Sequence, residues 1–146
     1  MVRKLNLSLK TIHALEITRI AIGNQKLVYV LVANKKLHYR YGSSAIAYIG
    51  TTKKGVGRIA ESAAQHAQEI LELHGVKKVT ARIVTCRPRR NVKTWLELER
   101  AMLVTFREQY GSVPKCNEKG KNMKLTKESK KYFAAHAVLN VIEKLG

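Results

Sequence analysis

Five residues along the chain carry side chains that together could hold and hydrolyse a phosphate ester. They are two phenols, a guanidinium, a carboxylate and an amide: Tyr29, Tyr48, Arg58, Glu99 and Asn117. The phenols fall in two apolar segments with the composition of neighbouring strands, so they could meet at one end of a sheet. Arg58 follows a loop of small and basic residues. The backbone N–H groups of such a loop and a guanidinium, which can donate two hydrogen bonds to one phosphate, suit phosphate binding. Residue types in this order are typical of a phosphodiesterase that acts on nucleic acid.

Each tyrosine taken alone has a simpler explanation, because tyrosine is a good strand former. The pair is favoured as a functional unit by Gly50, which ends the second apolar segment without a side chain to block the approach. Residues 51–55 then form a polar loop that leads to Arg58.

Glu99 points into the middle of an apolar helical face. At about 100° per residue, the apolar side chains of residues 95–110 form one broad arc, and Glu99 falls inside it, whereas Glu97 points away. Burial of an unpaired carboxylate costs several kcal/mol. Glu99 must therefore be protonated, paired with an arginine or lysine, or bound to a metal ion. A buried ion pair is the structural alternative to a catalytic role.

The segments that must position these residues begin with strand patterns. Residues 26–33 are β-branched and nearly all apolar, which predicts a buried central strand, and residues 45–50 suit its antiparallel neighbour. Residues 34–44 alternate aromatic or aliphatic with basic side chains and predict an extended hairpin. Residues 79–86 predict a third strand, and residues 9–22 a short helix that runs into a strand.

The clearest helix is predicted over residues 57–74, with Gly75 as its C-terminal cap. Its buried face is made of alanine and aliphatic side chains: Ile59, Ala63, Ala67, Ile70 and Leu71. Its opposite face is polar: Arg58, Ser62, Gln65 and Glu69. His66 lies at the edge of the polar face and is expected to be an ordinary surface histidine.

Two more helices are predicted in the second half. Thr94 and Glu97 form a capping-box pattern that opens a helix over residues 94–110, and Gly111 stops it. A last amphipathic helix spans about 127–145. Its packing stripe is apolar: Phe133, Val138, Val141, Ile142 and Leu145.

Charge limits the choice of partner. The 146-residue chain has 28 Lys+Arg against 10 Asp+Glu, a net charge of +18 whose self-repulsion a polyanion would relieve. We therefore expect a nucleic-acid partner.

The basic residues lie on loops and the tail as well as on helices, which disfavours a membrane-surface helix, and no apolar run approaches ~18 residues. The two cysteines lack a paired C-x-x-C spacing, so we expect reduced thiols and an intracellular protein. The length of 146 residues suits a single domain, which we expect to span residues 1–146.

The chain resembles the GIY-YIG nuclease superfamily over residues 27 to about 120. The element Tyr-Ile-Gly is literal at residues 48–50, and Arg58 follows Tyr48 by ten positions, as is common in the family. Residues 98–103 resemble the family's glutamate helix, and residues 114–117 (Pro-Lys-Cys-Asn) resemble its closing Pro-x-x-Asn.

The chain also departs from the family pattern. Leu-Val-Tyr stands at residues 27–29 where the family has Gly-Ile-Tyr, and Tyr48 follows Tyr29 by 19 positions, an excess that the predicted hairpin would explain. Ser62 occupies the position four residues after Arg58, where many members have a histidine.

The resemblance implies an α/β (α+β) fold with a small antiparallel three-stranded sheet flanked by helices, and a single-metal endonuclease mechanism on DNA. Glu99 would be the ligand of one divalent cation, Mg²⁺ or Mn²⁺. Arg58 would clamp a phosphate oxygen, and Tyr29 and Tyr48 would position the attacking water and accept its proton. Asn117 would tie the tail to the core.

Exposed basic residues around this site are expected to hold duplex or branched DNA. They lie in the loops at 53–54, 87–91 and 114–126: Lys53, Lys54, Arg87, Arg89, Arg90, Lys115, Lys119, Lys121 and Lys124. A double-strand break would need two active sites and hence a homodimer. The alternatives are a non-catalytic, basic nucleic-acid-binding protein, for which charge alone suffices, and an accessory subunit that docks on an acidic protein.

Overall fold

The computed structural model describes residues 2–12 and 23–146. Three strands and four helices follow one another in the described chain: β1 (Leu27–Tyr39), β2 (Gly42–Thr52), α1 (Val56–Leu71), β3 (Val79–Val84), α2 (Thr94–Tyr110), α3 (Lys127–Tyr132) and α4 (Ala135–Leu145). Residues 2–12 contain no helix or strand, and the rest of the segment predicted over 9–22 lies outside the described residues. The predicted α+β class with an antiparallel three-stranded sheet is confirmed.

The sheet has the strand order β2-β1-β3, and both pairings are antiparallel. The apolar run at the start of β1 makes the central strand, as predicted, because a strand between two neighbours and two helix layers has no solvent-facing side. β1 and β2 continue into the predicted hairpin, which turns at residues 40–41. This extension accounts for the long spacing between Tyr29 and Tyr48.

A one-residue bulge in β2 sets the direction of Tyr48. Leu31 pairs with Tyr48, but the next residue of β1, Val32, pairs with Ile46, so Ala47 has no partner in β1. Ile46 then packs on the side of α2, whereas Ala47 and Tyr48 both pack on the side of α1. Bulges of this kind redirect side chains and are common beside active sites.

Each face of the sheet buries its own apolar cluster. On one face, Val28 and Val30 pack against Met102 and Phe106 of α2 and against Ile142 of α4. The other face packs against α1 through a second set: Leu27, Tyr29, Leu31, Ile59 and Ile70. A sheet enclosed on both sides holds β1 and β2 rigidly, so the side chains at their ends are well positioned.

One end of α2 agrees with the prediction and the other does not. Gly111 closes α2 in a left-handed conformation (φ 83°), as predicted. The predicted capping box at Thr94 and Glu97 is wrong: Lys93 is the N-cap residue, and Glu97 instead accepts a hydrogen bond from Thr126 Oγ1 at 2.6 Å. Thr126 itself forms a capping box with Ser129 at the start of α3.

Two further predictions about helices are wrong. The C-terminal helix is not continuous, because Phe133 and Ala134 are extended and separate α3 from α4. The sequence of α3 offers little apolar surface to prolong the packing stripe of α4, although all five predicted stripe residues do pack on the α2 cluster. α1 ends three residues before the predicted 74, with Glu72 rather than Gly75 as its cap.

Candidate active site

A cleft of about 450 Å³ opens between the sheet and the first turns of α1. Three of the five predicted site residues line it: Tyr29, Tyr48 and Arg58. The loop after β2 contributes Lys53 and Lys54, so cationic groups surround its mouth. A concave site with a few convergent polar groups is the ordinary form of a binding or active site.

Gly50 allows the two tyrosines to meet. Tyr29 is paired with Gly50 across the sheet, and its ring lies 5.8 Å from that of Tyr48, centroid to centroid. A Cβ atom at position 50 would lie only 2.6 Å from Cε1 of Tyr48 and 2.9 Å from the hydroxyl of Tyr29. Gly50 lies within β2 and does not end it, but its missing side chain has the predicted role of keeping this place clear.

α1 contributes two residues that the sequence analysis placed elsewhere. The Tyr29 hydroxyl hydrogen-bonds to Ser62, which was predicted to point away from the core. The imidazole of His66 stacks on the ring of Tyr48, with centroids 4.0 Å apart and planes tilted by 24°. His66 is therefore not an ordinary surface histidine, and both residues belong to the lining of the cleft.

The helical spacing of α1 contained a signal for His66. At about 100° per residue, His66 falls within about 40° of both Ile59 and Ile70, the two fully buried residues of the helix. Leu71, which was predicted to be buried, is 45% exposed. The buried face is therefore rotated by roughly 60° from the predicted one, toward Ser62 and His66.

His66 also has an unmet hydrogen-bonding group. Its Nδ1 atom is buried and has no hydrogen-bond partner within residues 2–12 and 23–146. Buried polar atoms are nearly always paired, so a lone one in a cleft suggests a functional or solvent-mediated role. A neutral imidazole also has one ring nitrogen that can accept a proton.

Burial raises the pKa of the Tyr48 phenol well above its usual range, and the nearby Tyr29 and the negative charge of Glu99 raise it further. Tyr48 is thus a neutral phenol at physiological pH and can donate a hydrogen bond or orient a neighbouring group. Deprotonation of this phenol would need a cation close to its oxygen.

Arg58 lies in the first turn of α1, where it is half-exposed and forms an ion pair with Glu61 at 2.5 Å. The pair spans three residues of one helix, and 70% of the Glu61 side chain is exposed. Exposed pairs of this kind contribute little to stability. The guanidinium can therefore leave Glu61 for a phosphate at small cost.

Glu99 is buried, as predicted, and its partner is Lys119. The distance from Lys119 Nζ to Glu99 Oε1 is 2.5 Å, and 5% of the glutamate side chain is exposed against 53% of the lysine side chain. This ion pair was one of the three states that the sequence left open. Glu99 lies outside the lining of the described cleft, within electrostatic reach of Tyr48.

Asn117 joins the loop after α2 to the outer edge of β2. Its side chain accepts a hydrogen bond from the Ile49 amide and donates one to the Ile49 carbonyl, each at 2.9 Å. The Cys116 amide donates to the Ala47 carbonyl at 2.9 Å. These bonds cover an edge strand that would otherwise expose unpaired backbone groups. Asn117 thus ties the tail to the core beside Tyr48.

The nine basic residues predicted to bind nucleic acid are all exposed. They do not form one ring around the cleft, which holds only Lys53 and Lys54 of the set. Lys115 and Lys121 line a second cleft of about 390 Å³, together with His38 and Arg40 of the hairpin. On the remaining surface, Arg89 lies over the ring of Tyr132, at 6.0 Å.

Within the described residues, no three His, Cys, Asp or Glu side chains gather in a way that could hold a metal ion. A closed site made of protein ligands does not fit this part of the chain. A Mg²⁺ or Mn²⁺ ion that keeps most of its waters needs as little as one protein carboxylate, and at Glu99 it would have to take the place of the Lys119 ammonium group.

Comparisons of the chain with protein-family models, with curated proteins and with solved structures found no match. No helix in the described part of the chain is long and apolar enough to cross a membrane.

Proposed function

We propose that the protein is a divalent-metal-dependent endonuclease of the GIY-YIG type that hydrolyses phosphodiester bonds in DNA. One observation carries the proposal: a single cleft with a cationic mouth is lined by Tyr29, Tyr48, Arg58 and His66. Both phenols have room there because position 50 is a glycine, and a Cβ atom at that position would collide with them. A buried carboxylate within electrostatic reach of that cleft supports it.

In this proposal the phosphate enters beside the N-terminus of α1. Lys53 and Lys54 attract it, and Arg58 exchanges Glu61 for a non-bridging oxygen in a two-point contact that lysine cannot reproduce. The first turn of α1 has no acidic residue and no side-chain cap, so the positive end of the helix dipole favours the same anion.

We assign proton transfer to His66 rather than to a tyrosine. The raised pKa of Tyr48 keeps that phenol protonated, and its ring holds the imidazole by stacking. His66 then accepts a proton from the attacking water, whose oxygen forms the new bond to phosphorus as the bond to the 3′ oxygen breaks. Tyr29, fixed by Ser62, orients the water. A divalent cation bound by Glu99 would stabilise the charge on the phosphoryl and leaving oxygens.

The direct test is incubation with supercoiled plasmid, with Mg²⁺ or Mn²⁺ and with a chelator. We expect nicked or linear products only with metal, a loss of about ten- to a hundredfold for Arg58→Lys, and a loss of cleavage for His66→Gln. Full activity of Arg58→Lys would exclude a two-point clamp. No product with any metal, alongside tight DNA binding, would contradict the proposal.

A second candidate function is non-catalytic nucleic-acid binding. The Glu99–Lys119 pair favours it, because a lysine satisfies the buried carboxylate without a metal. The charge of +18 and the second basic cleft suffice for such a role. Both functions predict DNA binding that weakens steeply with salt, so cleavage separates them.

A further inference from the structure

The Glu99–Lys119 pair is asymmetric. The carboxylate belongs to the middle of α2 and is held in the interior, whereas more than half of the lysine side chain faces solvent. The Glu99 carboxylate cannot move out of the interior, but the Lys119 ammonium group, on a flexible four-carbon chain, can move away from it. The pair therefore has one fixed and one mobile partner.

The backbone around Lys119 is held on both sides. Two residues before it, Asn117 is bonded to β2 through the Ile49 backbone. Directly after it, the Gly120 carbonyl accepts a hydrogen bond from Arg107 at 2.7 Å, and the same guanidinium reaches the carbonyls of Lys121 and Met123. Gly120 has a φ of 106°, a conformation that other residues rarely adopt. Only the Lys119 side chain is left to move.

The same loop carries further cations that can attract a polyanion. Lys115 and Lys121, on either side of Lys119, are exposed and line the second cleft. Because Lys119 is only two residues from Lys121 in this loop, we expect a phosphate backbone drawn to these cations to reach the Lys119 ammonium group as well. Glu99 then loses its counter-ion, and a buried carboxylate requires another cation.

Building on the endonuclease function proposed above, we propose that Lys119 is an exchangeable counter-ion of Glu99. Without nucleic acid, Lys119 neutralises Glu99 and competes with a divalent cation for the carboxylate. When nucleic acid binds, Lys119 moves to a phosphate oxygen, and the cation takes its place at Glu99. Metal loading is thereby coupled to the presence of substrate.

The test is calorimetric titration of the free protein with Mn²⁺. Lys119→Met removes the internal competitor, and we expect it to bind Mn²⁺ at least about tenfold more tightly than the unmodified protein. Lys121→Met is the matched control, because it makes the same charge change in the same loop but leaves the Glu99 pair intact. The double variant Glu99→Gln/Lys119→Met should lose the gain.

Lys119→Arg gives a second test that does not depend on the stability of Lys119→Met. An arginine keeps the charge and can bind the carboxylate at two points, so Mn²⁺ affinity should fall below that of the unmodified protein. Equal Mn²⁺ affinities for the unmodified protein, Lys119→Met and Lys119→Arg would overturn the exchange.

The exchange and the endonuclease function fail in different ways. Tighter Mn²⁺ binding by Lys119→Met that depends on Glu99, without cleavage of DNA by any variant, would support the exchange and contradict the nuclease. The opposite result is metal-dependent cleavage of DNA with equal Mn²⁺ affinities for the unmodified protein and Lys119→Met. That result would overturn the exchange and leave the proposed nuclease function intact.

Discussion

The two sides of the sheet each hold an ion pair, in opposite surroundings. On the α1 side, Arg58 and Glu61 are three residues apart on one helix, and both are largely in water. On the α2 side, Glu99 and Lys119 come from different segments, and the carboxylate is buried. A pair in water is weak, whereas a buried charge always needs a partner.

In the proposed endonuclease function, the two ion pairs would serve two different tasks. The exposed arginine can change partners at little cost, as suits a group that binds and releases a phosphate at each turnover. The buried glutamate cannot remain alone, so its cation can only be replaced by another cation. The proposed substrate-binding side is thus labile, whereas on the proposed metal-binding side one cation is exchanged for another and Glu99 always has a cationic partner.

The largest effect is expected from Glu99→Gln, which removes the buried charge and keeps the shape of the side chain. Loss of the proposed metal ligand should lower plasmid cleavage at least about a thousandfold, because metal stabilisation of the transition state contributes several kcal/mol. DNA binding, measured by fluorescence anisotropy in a chelator, should change little.

Unfolding in urea is the control for Glu99→Gln. Lys119 is half-exposed and can be solvated when its partner is neutral, so we expect the free energy of unfolding to change by about 1 kcal/mol or less. Unchanged cleavage would remove Glu99 from the mechanism. An unfolded variant would instead make the ion pair a purely structural element.

Gly50→Ala should produce the next largest effect, on the α1 side. The added Cβ would collide with the rings of Tyr48 and Tyr29, and such overpacking typically costs about 1–3 kcal/mol. The rings must shift, so His66 loses its stacking partner and cleavage should fall with stability. Urea unfolding and plasmid cleavage measure the two losses.

Gly57→Ala is the matched control for this substitution. Gly57 lies in the first turn of α1, and a Cβ there would meet nothing within 4 Å. Alanine is the better helix former by about 0.5–1 kcal/mol, so this variant should be as stable as the unmodified protein or more so. Equal stability of the two alanine variants would mean that the tyrosines do not need the space at position 50.

The pattern of apolar residues predicts most of the fold. Continuous apolar runs with a hairpin pattern between them predict β1 and β2, and Gly111 predicts the end of α2. The same pattern misses the bulge at Ala47, because a bulge depends on pairing between strands and leaves the apolar period of one strand nearly unchanged. It also misses the break at Phe133, because the spacing of the stripe residues does not show whether Phe133 is helical or extended.

The candidate site is less predictable for a related reason. Periodicity shows that α1 has a buried face, but the rotation of that face is set by the sheet beneath it, so His66 and Ser62 were assigned to the wrong side. The partner of Glu99 lies 20 positions away in a loop without periodicity, and only the folded chain brings Lys119 to it. The carboxylate itself was predictable, because a charge inside an apolar arc stands out.

The buried phenol on the α1 side should appear in the pH dependence of stability. The folded-state pKa of Tyr48 lies above the unfolded value of about 10, so the contribution of this phenol to stability is constant below about pH 10 and is lost as the pH rises above it. Tyr48→Phe should reduce the loss of stability between pH 10 and pH 11 by about 1 kcal/mol, measured by urea unfolding. Tyr41→Phe, at an exposed turn position, controls for the loss of a phenol. An unchanged loss of stability would mean that Tyr48 is solvated in solution.

Glu61→Gln should have the smallest effect, and it completes the comparison of the two ion pairs. Breaking the exposed pair should change the free energy of unfolding by no more than about 0.5 kcal/mol, whereas breaking the buried pair with Lys119→Met, in the absence of metal, should cost about 3–5 kcal/mol. Glu61 is the acidic side chain in the lining of the described cleft. Glu61→Gln should therefore also tighten DNA binding a few-fold, because the neutral side chain repels phosphate less and competes less for Arg58. Urea unfolding in a chelator and fluorescence anisotropy at fixed salt measure both. If the two variants lost equal stability, burial would not distinguish the pairs, and the division between a labile and an exchangeable side of the sheet would be wrong.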